Sequence, residues 1–466
     1  MHQSTRLSGI AYGLWRETGN GKEGMSEEKL EKRGSRRHAP LSTWAFRFLL
    51  WYVCIMFVAP QNRFPVLWPL HIADISFVGA IVLHALSCLR THQPLIRPGW
   101  ATGLGVALMG WAAVCNTIGP FQSGWTWIGW METIYKNIGL LVLLESMCDT
   151  RERCWATMMT MLFCSVYWLK VGVRLAAAGA TYSGDRLMGA AIGLIENPNS
   201  MAYIVALMLP LYLYVYQAAE SKTEKWVFLA GVVADLFIVL KTGSRTGLVT
   251  LLAMAIWILP KYIRHHGFGL LVAGVAFWLL LPLTGEKNVQ RFKTIPESAK
   301  SFLGFQVERH EGPLNQDEQS AEERAAKNRD TWRLIKANPL HGVGFHADES
   351  KYAGEYPMAR GQVHCEVLMV GKHMGFIGMG IYLGMLAQIW LCGRSLRLRY
   401  AGWPGMAELG WVYQIQAIGI LVGGSFCPLP WHGPMMLMAA TSSALVKLSV
   451  FPPPSDLPFL EKAMSG

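Results

Sequence analysis

The sequence predicts an all-α protein that crosses a membrane many times, and three features predict it. Hydrophobic residues make up 52% of the 466-residue chain and charged residues 16%, whereas soluble domains carry about 25% charged residues. Apolar runs of about 17–25 residues, enough for a helix to cross ~30 Å of hydrocarbon, recur along most of the length. Clusters of lysine and arginine fall in alternate loops between these runs, as expected for cytoplasmic loops.

About twelve membrane spans are predicted, and one long polar segment interrupts them. Segments of that length inside a bundle are mostly functional rather than simple connections. We therefore divide the chain into a tail at 1–43, nine spans within 44–284, a large outer loop at 285–363, three spans within 364–450 and a tail at 451–466. The predicted spans fall at about residues 44–60, 70–89, 100–118, 126–145, 154–174, 197–217, 226–241, 246–263, 267–284, 364–392, 409–427 and 431–450.

The orientation follows from the basic loops. Counting from a cytoplasmic N-terminus puts every strongly basic short loop inside, while the opposite loops at 119–125 and 428–433 carry almost no charge. Both termini are therefore predicted to be cytoplasmic, and the large loop is predicted to lie on the outer face. The basic loops are at 90–97, 151–153, 222–225, 261–264 and 394–399.

Motifs for metals, cofactors and nucleic acids are missing from the sequence. The nine cysteines lie mostly within apolar runs without CxxC or Cys/His spacing, so we interpret them as small buried hydrophobic residues. There is no P-loop, no Gly-x-Ser-x-Gly elbow and no His/Asp/Glu cluster with metal-ligand spacing. Topology explains the net charge of +11 better than nucleic-acid binding does. We predict no metal, no cofactor and no nucleic-acid partner.

Arginine also occurs in segments predicted to lie outside, where the positive-inside rule disfavours it. Arg186 and Arg245 lie in two such segments, and the large loop carries Arg324, Arg329 and Arg333. An outer site that attracts negative charge would explain these residues. The alternative for Arg186 and Arg245 is that their side chains reach lipid headgroups from helix ends.

Turn and capping residues surround the first two arginines. The stretch Glu196-Asn197-Pro-Asn199-Ser predicts a helix start with a capping residue and a proline in the first turn. Glycines flank Arg245 in Gly243-Ser-Arg245-Thr-Gly247, and they allow the backbone to approach a ligand or a neighbouring helix closely.

The large loop is predicted to contain a helix with two different faces. Ser320 and Glu323 form a capping-box pattern, and Asn338-Pro339 ends the helix. Arg324 lies more than about 100° away from a basic face, which is either a binding surface or simply solvated. That face carries Arg329, Arg333 and Lys336.

His364 is predicted to open the span that follows the loop. Gly371, Gly375 and Gly378 recur on nearly the same stripe, and small residues on one stripe allow membrane helices to pack closely. His364 should then point into the bundle, where an imidazole can act as a general base. The alternative is a hydrogen-bonded histidine at the interface. We interpret His373 as a packing residue or as part of a local polar network.

Together these features favour an anionic, amphiphilic substrate. Arginine and histidine without metal ligands suit a phosphate group held by guanidinium side chains. A site among membrane spans suits a substrate with its lipid tail in the bilayer and its anionic head at the outer surface.

The order of the motifs resembles the O-antigen ligase and O-antigen polymerase superfamily over about residues 182–391. Two positions differ from the family pattern and affect the acceptor side most: Cys365 replaces the usual Asn or Ser, and His373 stands where an acidic residue is common. The matching pieces are Arg186 before Asn197-Pro-Asn199, the turn Gly243-Ser-Arg245-Thr-Gly247, Arg324 before Asn338-Pro-Leu-His-Gly-Val-Gly344, and His364 before a span that contains glycine.

The resemblance implies a GT-C-like, metal-independent glycosyltransferase in the bacterial inner membrane. It would move a glycan from a polyprenyl pyrophosphate to a hydroxyl of lipid A core, another glycan or a protein, on the outer face and among membrane lipids. Glu366 lies about 200° round the helix from His364 and is not placed in the site. The resemblance maps the family's arginines onto Arg186, Arg245 and Arg324, and its histidine onto His364. We predict that His364, Arg245 and Arg324 are catalytic. The predicted substrate-binding residues are Arg186, Asn199, Arg329 and Arg333.

The sequence leaves several functions open. Within the superfamily, a ligase and a repeat-unit polymerase are not distinguished. A transporter of an anionic or lipid-linked substrate would typically show two related halves and interrupted spans, and we find no internal repeat. A non-catalytic scaffold or lipid-binding membrane protein is the third class.

Overall fold

The structure is a computed structural model, and it describes twelve stretches of the chain. The tail predicted at 451–466, nearly all of the tail predicted at 1–43 and most of the predicted span at 267–284 lie outside them. The described residues are 40–121, 134–182, 186–187, 197–260, 278, 281–282, 284–293, 316–345, 347–401, 404–427, 429 and 432–449.

The described chain is built almost entirely from helices. One small antiparallel pair, β1 (Thr181–Tyr182) with β2 (Arg186–Leu187), places Tyr182 opposite Arg186. Short helical turns occur at Pro60–Arg63, Pro65–Leu70, Glu349–Lys351 and Pro357–Ala359. The longer helices are α1 (Pro40–Val58), α2 (Ile72–Thr91), α3 (Trp100–Ile118), α4 (Lys136–Met147), α5 (Arg151–Ala177), α6 (Pro198–Ala206), α7 (Leu209–Ala218), α8 (Lys222–Lys241), α9 (Arg245–Pro260), α10 (Glu286–Lys293), α11 (Gln316–Ala337), α12 (Glu366–Arg399), α13 (Pro404–Gly424) and α14 (Gly433–Leu448).

Within the described residues, six helical segments are long and apolar enough to cross a membrane. They support the predicted all-α polytopic class, while the count of twelve spans and the GT-C-like arrangement stay predictions. Helix α9 is apolar but shorter. The six segments are Pro40–Val58, Pro65–Thr91, Trp100–Ile118, Arg151–Ala177, Pro198–Ala218 and Glu366–Arg399.

A proline divides the span Pro198–Ala218 into α6 and α7. Pro210 has no N–H to donate to the carbonyl four residues earlier, and its ring crowds the preceding turn. The helix therefore stops at Ala206 and restarts at Leu209. The side chain of Gln416 donates to the main-chain oxygen of Leu207 at 3.0 Å. A buried amide of α13 thus satisfies a carbonyl that the break removes from the regular helical pattern.

Helix α12 lies at the centre of the bundle and packs against α3, α13 and α14. Its contact with α13 is made by backbone. A Cβ atom added to Gly393 would lie 2.5 Å from the oxygen of Gly410, and the reverse substitution would meet the oxygen of Gly393 at the same distance. Small residues thus bring these two helices together, as is common within membranes.

Helix α12 is interrupted at Gly375, where the predicted glycine stripe fails. Gly375 has φ 63° and ψ −165°, so helical spacing does not continue across it. A Cβ atom at Gly375 would lie 2.4 Å from the oxygen of Leu340, which belongs to the loop and not to another membrane helix. The prediction that Gly371, Gly375 and Gly378 form one packing stripe is therefore wrong. The backbone of the loop, at Pro339 and Leu340, occupies the space at this break.

The loop backbone replaces the hydrogen bonds that this break removes. Phe376 N–H donates to the oxygen of Pro339 at 2.7 Å instead of to its own helix. The stretch Asn338-Pro-Leu-His-Gly-Val-Gly344 thus docks into α12, and non-helical backbone is tolerated at such sites when protein satisfies it. The carbonyls left over accept from outside: Lys372 O from Val343 N at 2.8 Å, His373 O from Gly344 N at 3.0 Å, and Met374 O from the Trp111 indole at 2.9 Å.

The described part of the large loop has a small core of its own, formed by Leu334, Val343, Tyr352 and Ala359. Helix α11 ends at Ala337, as Asn338-Pro339 predicted. Its start was predicted wrongly, because Ser320 lies inside the helix and not at its cap.

Candidate functional site

The first group of predicted site residues meets at the turn between α8 and α9. Arg186 is 8% exposed; its Nε donates to the oxygen of Thr242 at 3.0 Å, and its Nη2 donates to Asn199 Oδ1 at 2.9 Å. Ser244 Oγ donates to the same oxygen of Asn199 at 3.0 Å. The turn that carries Arg245 is therefore held by two predicted substrate-binding residues.

Both glycines of this turn are explained by close approach. Gly243 has φ +58°, and a Cβ atom there would lie 2.1 Å from Asn288 Oδ1 at the start of the large loop. A Cβ atom at Gly247 would lie 2.5 Å from the side chain of Ala202 on α6. Arg245 is the first residue of α9 and is half-buried. The prediction that glycine permits a neighbouring element to approach Arg245 is confirmed.

Asn197 forms the predicted cap of α6. Its side-chain oxygen accepts from the N–H groups of Asn199 and Ser200, at 3.0 and 2.9 Å, and Pro198 occupies the first turn. The cap fixes the position of Asn199, whose own side chain joins Arg186 to Ser244. Capping and site assembly are therefore linked through adjacent residues.

The second group brings Arg324 close to His364. Both side chains are half-buried. Burial of the imidazole, together with the positive charges of Arg324 and Lys327, lowers the pKa of His364 from 6.5 to about 4. The imidazole is therefore neutral near pH 7 and has a lone pair with which to accept a proton.

His364 does not open the helix as predicted. Helix α12 begins at Glu366 with Cys365 as its N-cap, so His364 belongs to the extended end of the loop. A helical wheel drawn from His364 therefore gives wrong directions for the residues that follow it. The main chain before it is held by Lys327, whose Nζ donates to the oxygen of Gln362 at 3.1 Å.

Helix α11 separates its arginines between two faces. Thr331, Leu334 and Ile335 are buried, and Arg324 lies on this side. Arg329 and Arg333 lie on the opposite, exposed side, where Arg333 contacts Asp330 of its own helix at 3.5 Å. Substrate binding by Arg329 and Arg333 stays a prediction.

The two groups are joined by the segment that follows α13. Thr246 Oγ1 donates to the oxygen of Phe426 at 3.4 Å, next to Arg245. Ser200 Oγ lies 3.9 Å from Cys427 Sγ, and Cys427 is within electrostatic range of Arg324. The first turns of α6 and α9 therefore contact the segment after α13, and Cys427 of that segment lies near Arg324 of α11. Sequence reasoning missed this segment, because Phe426 and Cys427 fall at the end of the predicted span 409–427.

This arrangement can be compared with known families. The family described as O-antigen ligase matches residues 230–383. The matched region covers about a third of the chain. The match confirms the resemblance inferred from the motifs, and it includes Arg245, Arg324 and His364. No match is found among the curated proteins.

The region that matches the family extends from α8 into α12, so that part of the candidate site lies outside it. Arg186 and Asn199 precede residue 230, and Cys427 follows residue 383. The hydrogen bonds of Arg186 and Asn199 to the Thr242–Ser244 turn attach them to the matched region. The region that matches the family therefore contains only part of the candidate site.

Glu366 lies within the region that matches the O-antigen ligase family. Sequence reasoning did not place it in the site. It is 1% exposed, and its carboxylate accepts a hydrogen bond from the hydroxyl of Tyr382. A Cβ atom at Gly424 would lie 2.4 Å from Glu366 Oε2, so the carboxylate packs against the end of α13. An acidic residue two positions after His364, followed by a tyrosine inside the same span, was the available signal.

Lys372 is the second residue that sequence reasoning missed. It holds the segment at 359–363 that leads to His364, which we call the strap. It is 3% exposed and its Nζ donates to the oxygens of Ala359 and Gly361, at 2.8 and 3.1 Å, and to Glu349 Oε1 at 3.2 Å. The ring of Tyr352 lies 5.6 Å from the ammonium. A lysine within a strongly apolar run was the signal.

The loop acids have structural partners. Glu349 contacts Lys372 and accepts from Gly361 N–H at 2.7 Å, while Asp348 accepts from the N–H and hydroxyl of Ser350. His373 forms a local polar network, as expected, with Nδ1 2.9 Å from the oxygen of Gly344 and its ring stacked on Phe345. Within the described residues, no three His, Cys, Asp or Glu side chains are grouped to hold a metal ion.

Proposed function

We propose that this protein is a glycosyltransferase that moves a glycan from a polyprenyl-pyrophosphate donor to an acceptor hydroxyl at the outer face of the bacterial inner membrane. The proposal is supported chiefly by the proximity of Arg324 to a neutral His364. The segment after α13 links this pair to the start of α9, which bears Arg245. Cationic groups suit the pyrophosphate, and a neutral imidazole suits the hydroxyl.

On the donor side, the bond between the anomeric carbon and the pyrophosphate oxygen breaks, and its electron pair stays on the pyrophosphate. Arg186, Arg245 and Arg324 stabilise the charge that develops on this leaving group. A positioned donor of this kind contributes about 2.7–4 kcal/mol to transition-state stabilisation in a shielded site. Polyprenyl pyrophosphate remains in the membrane as the product.

On the acceptor side, the hydroxyl oxygen forms the new bond to the anomeric carbon. His364 accepts the hydroxyl proton and later releases it to water. Burial, together with the positive charges of Arg324 and Lys327, lowers the pKa of His364 and keeps it neutral in the free protein, but the imidazole is then a weak base. A bound pyrophosphate offsets these positive charges, so the donor itself strengthens the base. Catalysis then starts only when both substrates are present.

The test uses the full-length protein in lipid nanodiscs, with a donor labelled in its glycan. We expect the label to move to the acceptor and polyprenyl pyrophosphate to be released, at an unchanged rate in excess chelator. Donor that is bound but not consumed indicates a binding protein. Inhibition by chelator that Mg²⁺ reverses contradicts the arginine mechanism. In sealed vesicles, passage of intact donor to the other side without transfer indicates a transporter.

The same assay separates a ligase from a repeat-unit polymerase of the same superfamily. A ligase transfers a preassembled chain once, so a single product forms with an acceptor that is not lipid-linked. A polymerase uses a second lipid-linked donor as acceptor and produces a ladder of lengths. The family match supports the ligase and polymerase type in general, and the products of this assay distinguish the two.

A further inference from the structure

A group of exposed apolar side chains lies where the large loop meets α12. We call Trp332, Leu340 and Phe376 the boundary patch; they are 40%, 61% and 40% exposed. The rings of Trp332 and Phe376 contact each other edge to face, with centroids 5.5 Å apart. Leu340 lies beside them, because Pro339 accepts the hydrogen bond of Phe376 N–H. A tryptophan of the loop thus contacts a phenylalanine of a membrane span.

The boundary patch continues into the lipid-facing side of α12. Ile377, Leu383 and Leu391 are exposed along that helix. Helix α12 has 34 residues and is interrupted at Gly375, whereas about 20 residues cross the hydrocarbon. Counting about 20 residues back from the basic end at Arg394 reaches Gly375 and Phe376. The patch therefore lies at the membrane boundary.

Three cations stand on the same face of α11 as Trp332. At about 100° per residue they fall within a sector of roughly 100° that is opposite to the buried face. Arg333 is 69% exposed and its one described ion pair, with Asp330, is long and solvated, and such pairs contribute little. The cations are Arg329, Arg333 and Lys336.

We propose that α11 lies against the outer membrane surface, with Trp332 and Leu340 in the interface and Arg329, Arg333 and Lys336 on the phosphates of anionic phospholipids. Tryptophan at the boundary with basic side chains beside it is the arrangement that membrane interfaces favour. The lipid contact fixes the height of α11, and with it the height of Arg324 on the opposite face. This last clause rests on the proposed function; the lipid contact does not.

The lipid contact is tested by photo-crosslinking of the full-length protein in nanodiscs that contain phosphatidylglycerol. A benzoylphenylalanine replaces Trp332 or Leu340, and the control position is Arg360, which is exposed on the same loop outside the patch. We expect several-fold more phospholipid adduct, detected by mass spectrometry, at 332 and 340 than at 360. Equal adduct at all three positions, or crosslinks to a second copy of the chain in place of lipid, overturns the proposal.

The charge contribution is tested by hydrogen exchange of residues 325–340 in anionic and zwitterionic nanodiscs. We expect exchange to be several-fold slower in phosphatidylglycerol than in phosphatidylcholine, and this difference to vanish in the triple variant Arg329→Glu, Arg333→Glu, Lys336→Glu. A matched variant reverses three other exposed loop cations, Lys287, Lys351 and Arg360, and keeps the difference. Exchange that is independent of lipid charge in the unchanged protein overturns the electrostatic contact. Neither experiment requires turnover, so failure of the proposed glycosyl transfer leaves both readable.

Discussion

Two lysine–glutamate pairs lie near opposite ends of α12, each with one buried partner, and their surroundings differ. Lys447 contacts Glu145 at 3.1 Å near the C-terminal end, and Lys372 contacts Glu349 at 3.2 Å near the N-terminal end. Arg399, the last residue of α12, marks the first location because it donates to the oxygen of Val446. Each pair removes charge from water, but only one of them is tied entirely to helices.

The Lys447 pair holds membrane helices together. The side chain of Glu145 is 0% exposed, and it accepts from Thr102 N–H at 2.6 Å and from the hydroxyl of Ser443. A Cβ atom at Gly99 would lie 1.8 Å from its Oε1, so α3 begins directly against it. Helices α3, α4 and α14 therefore share one carboxylate.

The Lys372 pair instead holds a loop onto a helix. Its ammonium donates to two main-chain oxygens in the strap that ends at His364, and Glu349 remains 36% exposed. A lysine–glutamate contact therefore stabilises the bundle near one end of α12 and positions the site near the other. Changes at the two ends should therefore separate stability from transfer.

The largest effect is expected for Arg245→Ala at the site end. We expect transfer to fall by more than about 10²-fold, as for loss of a positioned donor to a developing negative charge. Arg245→Lys should restore little, because an ammonium cannot reproduce a planar fork of donors. Rates are measured in nanodiscs at matched protein abundance. Full activity of the lysine variant contradicts the guanidinium role and favours lipid headgroup contact.

His364→Ala should reduce transfer by about 10²–10⁴-fold, the usual contribution of a general base. Donor binding should persist, because His364 acts on the acceptor. Binding of labelled donor is measured beside turnover in the same preparation. Parallel loss of both would show that His364 supports the donor site.

Lys372→Met and Lys447→Met test the comparison directly. Lys372→Met should slow transfer by about 10–100-fold by displacing the strap, with a small change in melting temperature. Lys447→Met leaves a fully buried carboxylate without its cation and should destabilise by about 3–5 kcal/mol. At temperatures where it stays folded, Lys447→Met should keep its transfer rate. If both variants lose stability and transfer in the same proportion, the two pairs do not have different roles.

The pH dependence of transfer should differ between free and donor-bound protein. His364 must be neutral to accept a proton, so activity falls as the pH drops through its pKa. The pKa of about 4 in the free protein places the acidic limb of kcat/KM near pH 4, and a bound pyrophosphate should move the limb of kcat upward, toward 6.5. Coincident limbs would contradict the strengthening of the base by the donor.

The smallest effect is expected for Arg333→Ala. Its side chain is exposed and paired with a neighbour on its own helix, and such surface changes usually stay within about 0.5 kcal/mol. Transfer and melting temperature should both stay close to those of the unchanged protein. Arg324→Ala on the opposite face serves as the contrasting variant, and equal effects would mean that the faces of α11 are assigned wrongly.

Local sequence patterns were sufficient to predict the membrane class, the cap at Asn197, the end of α11 and the motifs that carry Arg245 and His364. These follow from hydrophobicity and from contacts between neighbouring residues, which are written in the order of the chain. The sequence also separated Arg324 from Arg329 and Arg333, because helical spacing alone divides the faces of α11.

Which of these residues come together depends on how distant parts of the chain pack in the folded protein. Gly375 interrupts α12 because the loop backbone of Pro339 and Leu340 occupies the gap, and no local pattern encodes a partner that is 36 residues away. Lys372 and Glu366 are charged residues within an apolar helix, and the structure shows the partners that explain them, Glu349 and Tyr382. Burial makes such polar contacts strong and specific, yet the chain order of the residues that share them is arbitrary.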